Sequence, residues 1–521
     1  MSCRINQLNK KNGVTYVYES ESYWDKKKKQ PRNKKTCVGK LDPTTQTFIP
    51  SRRLVPEQAA VRDPAVTATA EIVGVSIVLD AITDRLGLGN LLKSSFPNEH
   101  RQIQAMSYYL ASQRGPLSYC GTWCKSHGHT IGESLTSQRI SEVLCSIGVD
   151  GRQTFFTKWM NKILEEEDYL CYDITSISSY SELNEYIKYG HNRDGDKLPQ
   201  LNLAMLFGQK GRLPVYFQRM PGNITDVTTV HNLLKTFKAL EVKSLNYVMD
   251  KGFYSKKNVD ELLASRDRFT ISIPLNNKWV QHSIDDIYEV IHGPQGYRRV
   301  DNEIFYVNSR LYPWGEDNRR CYLHLYYNAH ARADAVDRFT DELMRCKEEL
   351  ESGKLMSEHQ DTYDTFFMMK TTPKRGVRVS YNDEAVRQYI NRYAGFQALL
   401  TNSIKDPVEA LLIYRDKDVV EKSFDDLKNQ LDMKRLRMHS SEAVDGRLFI
   451  QFIALIYMSA LRKEMRRSRL IERYTVRELL QEMETLTKVK FSGKYGHILT
   501  EVTKPQREIL EGLNVAIPDR P

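Results

Sequence analysis

The sequence predicts an α/β protein, a sheet-centred core interrupted by a mixed, strand-containing insertion domain, with helical N-terminal and C-terminal parts. Three observations predict it. First, the patterning turns from helical to strand-like near residue 168, where 169–176, 201–207 and 214–217 are apolar runs in succession. Second, a helical stretch through Val230, Leu233, Leu234, Phe237 and Leu240 is followed by the apolar strand 245–249. Three consecutive strands, a crossover helix and a parallel strand is the order of a ribonuclease-H-like core. Third, residues 276–403 carry strand patterns at 304–307, 321–327 and 396–401 and helical ones near 335–350 and 385–393. That tract is ordered chain rather than a linker.

A chain of 521 residues is too long for one ordinary core, so several domains are expected. Hydrophobic residues at 40% and charged residues at 27% suit a soluble globular protein rather than a disordered one. No apolar run suggests a membrane span, and the N-terminus lacks a signal-like apolar region, so the expected location is cytoplasmic. Eight scattered cysteines read as reduced thiols. The net charge of +10 leans towards a polyanionic partner.

In chain order, residues 1–60 read as a small basic N-terminal module, with a strand at Val14, Tyr16 and Tyr18. The basic run 26–35 repels itself and reads as a solvated loop, either a flexible linker or a phosphate contact. Residues 61–165 read as a helical, possible DNA-binding region marked by Ile77, Val78, Ile82 and Leu86, then by Ile103, Met106, Tyr109 and Leu110. Ser137 suits an N-cap, and Gly148 and Gly151 separate the helix through Ile140, Val143 and Leu144 from that of Phe155, Phe156, Trp159 and Ile163. Such a pair is either a helix-turn-helix or, more commonly, a packed helical hairpin. Cys120, Cys124, His127 and His129 are potential zinc ligands, but their spacing fits no standard ribbon, and Tyr119 and Trp123 beside them read as packing. Residues 166–275 and 404–470 are the two parts of the core on either side of the insertion, and 471–521 form a C-terminal tail with a helical stretch near 476–486. A long helix through Phe449, Phe452, Ile453, Ile456 and Leu461 ends on Arg462, Lys463, Arg466, Arg467 and Arg469, which either track phosphates or complement the helix C-terminus.

Two acids interrupt apolar strands, Asp173 within 169–176 and Asp250 just after 245–249. A buried carboxylate is costly unless paired, hydrogen-bonded or metal-bound, and the carboxyl ends of strands are where open α/β sheets bind ligands. A third feature is the stretch 414–431, free of Pro and Gly and apolar at helical spacing through Ile413, Val420, Phe424, Leu427 and Leu431. Read as one helix, it sets Tyr414, Lys417, Glu421 and Lys428 within an arc of roughly 60° beside that stripe.

The spacing of those four residues matches Y-x2-(R/K)-x3-E-x6-K, and the chain resembles the DDE transposases of the insertion-sequence-four group and its close relatives. The motifs Asp173-x-Thr175-Ser176, Asp250-Lys251-Gly252-Phe253 and Glu421 in its helix resemble the three acids of that family, in the family's order. The resemblance implies that Asp173, Asp250 and Glu421 bind two Mg²⁺ ions, with Mn²⁺ as a substitute, for in-line phosphoryl transfer. Tyr414, Lys417 and Lys428 would contact DNA beside them. It further implies a cut-and-paste transposase acting on double-stranded DNA, both transposon ends and target, as a homodimer in a synaptic complex near the nucleoid. Trp279 or Trp314 in the insertion would either stack on an unpaired base or pack in a core. Two other readings stay open, a DNA-binding descendant that no longer cuts and a metal-dependent nuclease without strand transfer. Asp425, roughly 40° around the helix from Glu421, is the rival for the third acid.

Overall fold

The computed structural model describes residues 2–51, 67–127, 135–165, 168–180, 184–190, 192–193, 195–240, 245–356, 359–372, 376–431, 433, 435–436, 438, 440–492 and 496–518. Contacts divide the chain into two compact units, residues 1–70 with 489–498, and residues 71–488 with 499–521. In the first, β1 (Ser2–Leu8), β2 (Thr15–Asp25), β3 (Gln30–Leu41) and β4 (Phe48–Pro50) form an antiparallel meander. Lys26–Lys29 make the turn after β2, where Asp25 accepts from the backbone of Lys27 and Lys28. The rest of the basic run is strand rather than the expected loop. Lys34 pairs across the ladder with Glu21, and opposite charges there offset the self-repulsion that the run has in isolation. Residues 68–72 form β5 (Ala68–Ile72).

The second unit opens with α1 (Gly74–Leu86), α2 (Leu88–Ser95), α3 (His100–Ser112), α4 (Cys120–Ser126), α5 (Ser137–Ser146) and α6 (Val149–Ile163). Thr136, one residue before the expected cap, accepts from the Arg139 amide and starts α5. Gly148 is the N-cap of α6, but Gly151 lies inside that helix. It is there for close packing, since a Cβ would stand 2.4 Å from the Phe96 ring.

The strands that follow build the central sheet: β6 (Tyr169–Ser179), β7 (Gln200–Gly208), β8 (Pro214–Pro221) and, after α7 (Asp226–Ala239), β9 (Asn246–Met249). Next come α8 (Lys256–Ala264) and β10 (Arg268–Ile273). β8, β7 and β6 pair antiparallel in turn, and β9 and β10 add on the other side of β6, parallel to it. β7 is buried along its whole length, as expected of a strand covered on both faces.

Residues 276–403, expected as an insertion, extend this same sheet. After α9 (Lys278–Asp285) and α10 (Tyr288–Ile291) come β11 (Tyr297–Val300), β12 (Glu303–Trp314) and β13 (Arg319–Tyr327). α11 (Ala329–Ser352), α12 (Gln360–Phe366), the hairpin of β14 (Phe367–Thr372) and β15 (Gly376–Tyr381), and α13 (Asp383–Gln388) lead to β16 (Phe396–Thr401). β16 pairs antiparallel with β10 and with β13, giving the order β11-β12-β13-β16-β10-β9-β6-β7-β8. α11, α12, β14 and β15 instead enclose a second, small core around Phe339, Leu343, Phe366 and Phe367.

The remaining elements are α14 (Pro407–Arg415), α15 (Asp418–Asp425), β17 (Arg435–Leu436), α16 (Ser441–Arg467), α17 (Val476–Met483), β18 (Thr487–Phe491), β19 (His497–Leu499) and α18 (Lys504–Gly512). β17 pairs with the end of β6, and β5, β18 and β19 form a separate three-stranded sheet. Contrary to the expectation from sequence, α16 is long and apolar enough to cross a membrane, yet 94% of its apolar window is buried within the fold. It packs on α3, α5 and β8 and is the central helix of the core. Its basic end is largely engaged in protein contacts. Arg462 grips the buried Asp426, Arg467 pairs with Glu464 at 2.6 Å, and Lys463 donates to the Gly211 carbonyl at 3.1 Å. The α5–α16 contact depends on Gly446, where a Cβ would stand 2.0 Å from the Leu144 carbonyl oxygen. Gly446→Ala is expected to cost about 1–3 kcal/mol of stability by overpacking, read as a lower urea midpoint at unchanged slope.

Candidate active site

The register of β6 on β9 sets Tyr172 opposite Met249. Asp173 and Asp250 are the next residues on these parallel neighbours, on strands about 4.8 Å apart. Asp173 accepts from its own neighbour, the Ile174 amide, at 2.8 Å. Asp250 caps the turn Lys251–Phe253 and accepts from the Lys251 amide at 2.8 Å. Gly252 keeps that turn close to Asp226, whose Oδ2 would stand 3.0 Å from an added Cβ.

The third component departs from the single helix expected over 414–431. α14 ends at Arg415, Asp416 and Lys417 make a tight turn, α15 follows, and Asp426–Gln430 widen into a π-helical turn. Side chains from later helices hold the widened turn. Arg462 clasps Asp426, Arg477 donates to the Gln430 carbonyl, and Gln451 donates to the Leu431 carbonyl at 2.8 Å. The apolar stripe nonetheless packs as expected, with Val420, Phe424, Leu427 and Leu431 buried and Ile413 partly so.

Tyr414 and Lys417 contact Asp250, and Glu421 joins them through Lys417. The buried Tyr414 hydroxyl donates to Asp250 Oδ1 at 2.6 Å, so it is turned inwards rather than towards a phosphate or sugar. Lys417 Nζ stands 3.7 Å from Asp250 Oδ2 and donates to Glu421 Oε1 at 3.1 Å. The ammonium therefore lies between two carboxylates, and among the described residues the three acids do not bring their oxygens within 4.8 Å of one another. Lys428 falls in the π-helical turn, outside the α-helical phase that would align it with the other three. The rival Asp425 accepts from Asn429 at 2.6 Å.

The two strand acids differ in their electrostatics. Burial pushes the Asp173 carboxyl up to about 6, against the pull of Arg193 and Lys417, and the charge of Asp250 pushes the same way as burial. Burial would raise Asp250 too, but Lys417, the Tyr414 hydroxyl and the Lys251 amide together hold it below its ordinary value. Burial alone would lower Lys417, yet Asp250, Glu421 and Asp173 outweigh it and keep the ammonium charged. Arg193 and Asp226, paired at 2.5 Å, are site neighbours that sequence reasoning missed. The signals available were the glycines around Arg193 and the Gly252 that makes room for Asp226.

Other expected ligands lie elsewhere. Trp314 is buried and donates to Asp260 at 2.7 Å, and Trp279 donates to Tyr254 at 3.0 Å. Both rings pack around Tyr312, which is the core-packing alternative. Cys120 and Cys124 are buried with their sulfurs 3.8 Å apart, while His127 stacks on Trp123 and reaches Glu484 at 3.3 Å. His129 lies outside the described residues.

Two acids on adjacent strands, Asp173 within β6 and Asp250 just past the end of β9, with a third on a helix linked to Asp250 through a lysine, define an α/β protein with an acidic centre where its central parallel ladder ends. Residues 165–457, more than half of the 521, match the family model of the transposase DDE domain, and the chain belongs to that family. Enzymes of this family generally use divalent metal ions. No curated protein sequence matches the chain. Among solved structures, the cryo-EM structure of a piggyBac transposase synaptic complex with hairpin DNA aligns at 10% identity and a TM-score of 0.31. The alignment covers 70% of this chain and 56% of that one, a likeness too distant to bear on fold or function.

The raised Asp173 carboxyl makes native stability depend on pH. The native carboxyl binds its proton more tightly than the unfolded one, which titrates near 3.8, so ionisation at neutral pH costs native stability. That cost is shed as pH falls through about 6. In chelator, Asp173→Asn is therefore expected to raise stability at pH 8 by about 2 kcal/mol, with the gain shrinking towards pH 5. Paired urea melts at the two pH values measure it.

Proposed function

We propose that the protein is a cut-and-paste DNA transposase of the insertion-sequence-four-like group, with Asp173, Asp250 and Glu421 as its catalytic acids in a ribonuclease-H-like core. The observation that carries this reading is the β6–β9 register that sets Asp173 beside Asp250, with Lys417 joining Asp250 to Glu421. The strand order β8-β7-β6-β9-β10, antiparallel on one side of β6 and parallel on the other, supports the core assignment. The spacing of Tyr414, Lys417, Glu421 and Lys428 supports the group.

The donor set fits a hard divalent cation, because all three candidate ligands are carboxylates, two of them beside one ammonium. Asp173, Asp250 and Glu421 would hold two Mg²⁺ ions, with Mn²⁺ as a substitute, which supply an activated water and positive charge at the attacking and leaving oxygens. The chain's own groups do the rest. Tyr414 fixes the Asp250 carboxylate through its hydroxyl. Lys417 screens the repulsion between Asp250 and Glu421 and, swung outwards, reaches a DNA phosphate, with Lys428 as a second phosphate contact. Hydrolysis frees a 3′-hydroxyl at the transposon end, and the same site then directs that hydroxyl at a phosphodiester of target DNA. The partner is double-stranded DNA, gripped by a homodimer in a synaptic complex at the nucleoid, and the net charge of +10 suits it.

With a DNA substrate carrying the element's ends and Mg²⁺, Glu421→Gln is expected to lower cleavage at least about 1,000-fold, roughly 4 kcal/mol of transition-state stabilisation. DNA affinity should change by less than about threefold, since the lost group acts on the reaction rather than on docking. Asp425→Asn should cleave like the parent. Parent-like cleavage by Glu421→Gln would end the assignment, and cleavage without joined products would make the protein a nuclease.

A further inference from the structure

Among the described residues, the small core formed by α11, α12, β14 and β15 has eight buried residues: Phe339, Leu343, Cys346, Leu350, Tyr363, Phe366, Phe367 and Val379. So little apolar surface is marginal for holding a 24-residue helix against a hairpin, and natural proteins commonly staple cores of this size with a disulfide or a metal. One of the eight is a cysteine with no disulfide partner, and its thiol is fully buried. Two further ligand-bearing side chains stand beside it. Glu349 lies three residues on, on the same face of α11, and His359 comes from the residues just before α12. The ligand atoms of Cys346, Glu349 and His359 all lie within 4.8 Å of one another, the only group of three or more acids, histidines or cysteines so close among the described residues.

We propose that Cys346, Glu349 and His359 form a zinc site that clips α11 to α12. The donor set decides the metal. A thiolate with an imidazole and one carboxylate suits a borderline-soft ion such as Zn²⁺, whereas Mg²⁺ takes oxygen alone. The geometry is near what that ion needs, since ligands of a tetrahedral zinc stand about 3.3–3.8 Å apart at bond lengths of about 2.0–2.3 Å. Side-chain rotation closes the remaining gap, with the His359–Glu349 hydrogen bond, 2.7 Å from Nδ1 to Oε2, giving way to the shared ion. The carboxylate is also held from behind, because the Tyr363 hydroxyl donates to Glu349 Oε2 and itself accepts from the Met356 amide at 3.1 Å. Support of that kind orients ligands in metal sites. Three protein ligands leave the fourth position to water. The zinc is separate from the three acids on the central sheet, which offer oxygen only.

The test uses the full-length protein, stripped with chelator and titrated with Zn²⁺ and with Co²⁺ as the optical probe. The expected result is one thiolate-bound zinc per chain, beyond any ion on the three sheet acids, with a raised melting temperature and a thiolate-to-cobalt charge-transfer band in the near ultraviolet. Cys346→Ser should abolish the band, and His359→Gln should weaken Zn²⁺ binding by about 100-fold or more. Asp173→Asn and Asp250→Asn should leave the thiolate-to-cobalt band unchanged. Replacing the buried Cys346 can impair folding, so His359→Gln, at the half-buried edge, tests the site independently. A parent protein without the thiolate band, or His359→Gln binding zinc like the parent, would overturn the site and leave a His–Glu ion pair beside a buried thiol.

Discussion

A short parallel ladder, residues 169–172 of β6 against 246–249 of β9, governs where the acidic centre lies. Because the strands run the same way, the ladder ends at the same level on both, and the first residue past it on each is an aspartate, Asp250 where β9 stops and Asp173 where β6 continues. The register cannot drift. Side chains alternate between faces, so a slip of one residue would move Tyr172 or Tyr247, both buried, to the opposite face and break the packing that each makes now. The Tyr172 ring also packs on Phe253, just beyond Asp250, at 4.9 Å between centroids. Hydrophobic packing beneath the sheet thus sets the spacing of two charges at its rim.

Placing carboxylates there raises an electrostatic problem, which the fold answers with cations rather than distance. Arg193 faces Asp173, and Lys417 lies between Asp250 and Glu421. Lys417 can stand there because the chain tightens at Asp416–Lys417, between α14 and α15, and because α15 is seated on β6 and β7 by Val420 and Phe424. The wider turn after α15 depends in turn on Arg462 reaching across from α16 to the buried Asp426. The central helix therefore stabilises the acidic centre without contacting it.

Much of this is legible in the sequence. An acid inside an apolar run, as at Asp173, or just after one, as at Asp250, stands out because the surrounding residues announce burial that a carboxylate resists. Tyr414, Lys417 and Glu421 are legible as a face because they fall within two turns of chain. What escapes is long-range. Nothing near Asp426 signals that Arg462, 36 residues on, will pull a π-helical turn into a helix that reads as continuous. The pairing of β10 with β16 is equally remote in sequence, so residues 276–403 look detached although four of their strands lengthen the central sheet. The basic run in β3 reads as loop because its partner strand, which brings Glu21 opposite Lys34, lies outside any local window.

The β10–β16 pairing has one more consequence. The chain leaves the central strands at Ile273 and returns at Phe396 on the strand hydrogen-bonded beside it. Entry and exit are thus pinned next to each other by the same ladder, whatever lies between them. Topologically the intervening tract is a closed excursion, whose length and content are decoupled from the span between Asp250 and Glu421. A lineage carrying this architecture is free to enlarge, trim or replace that excursion while the distances at the rim stay as they are.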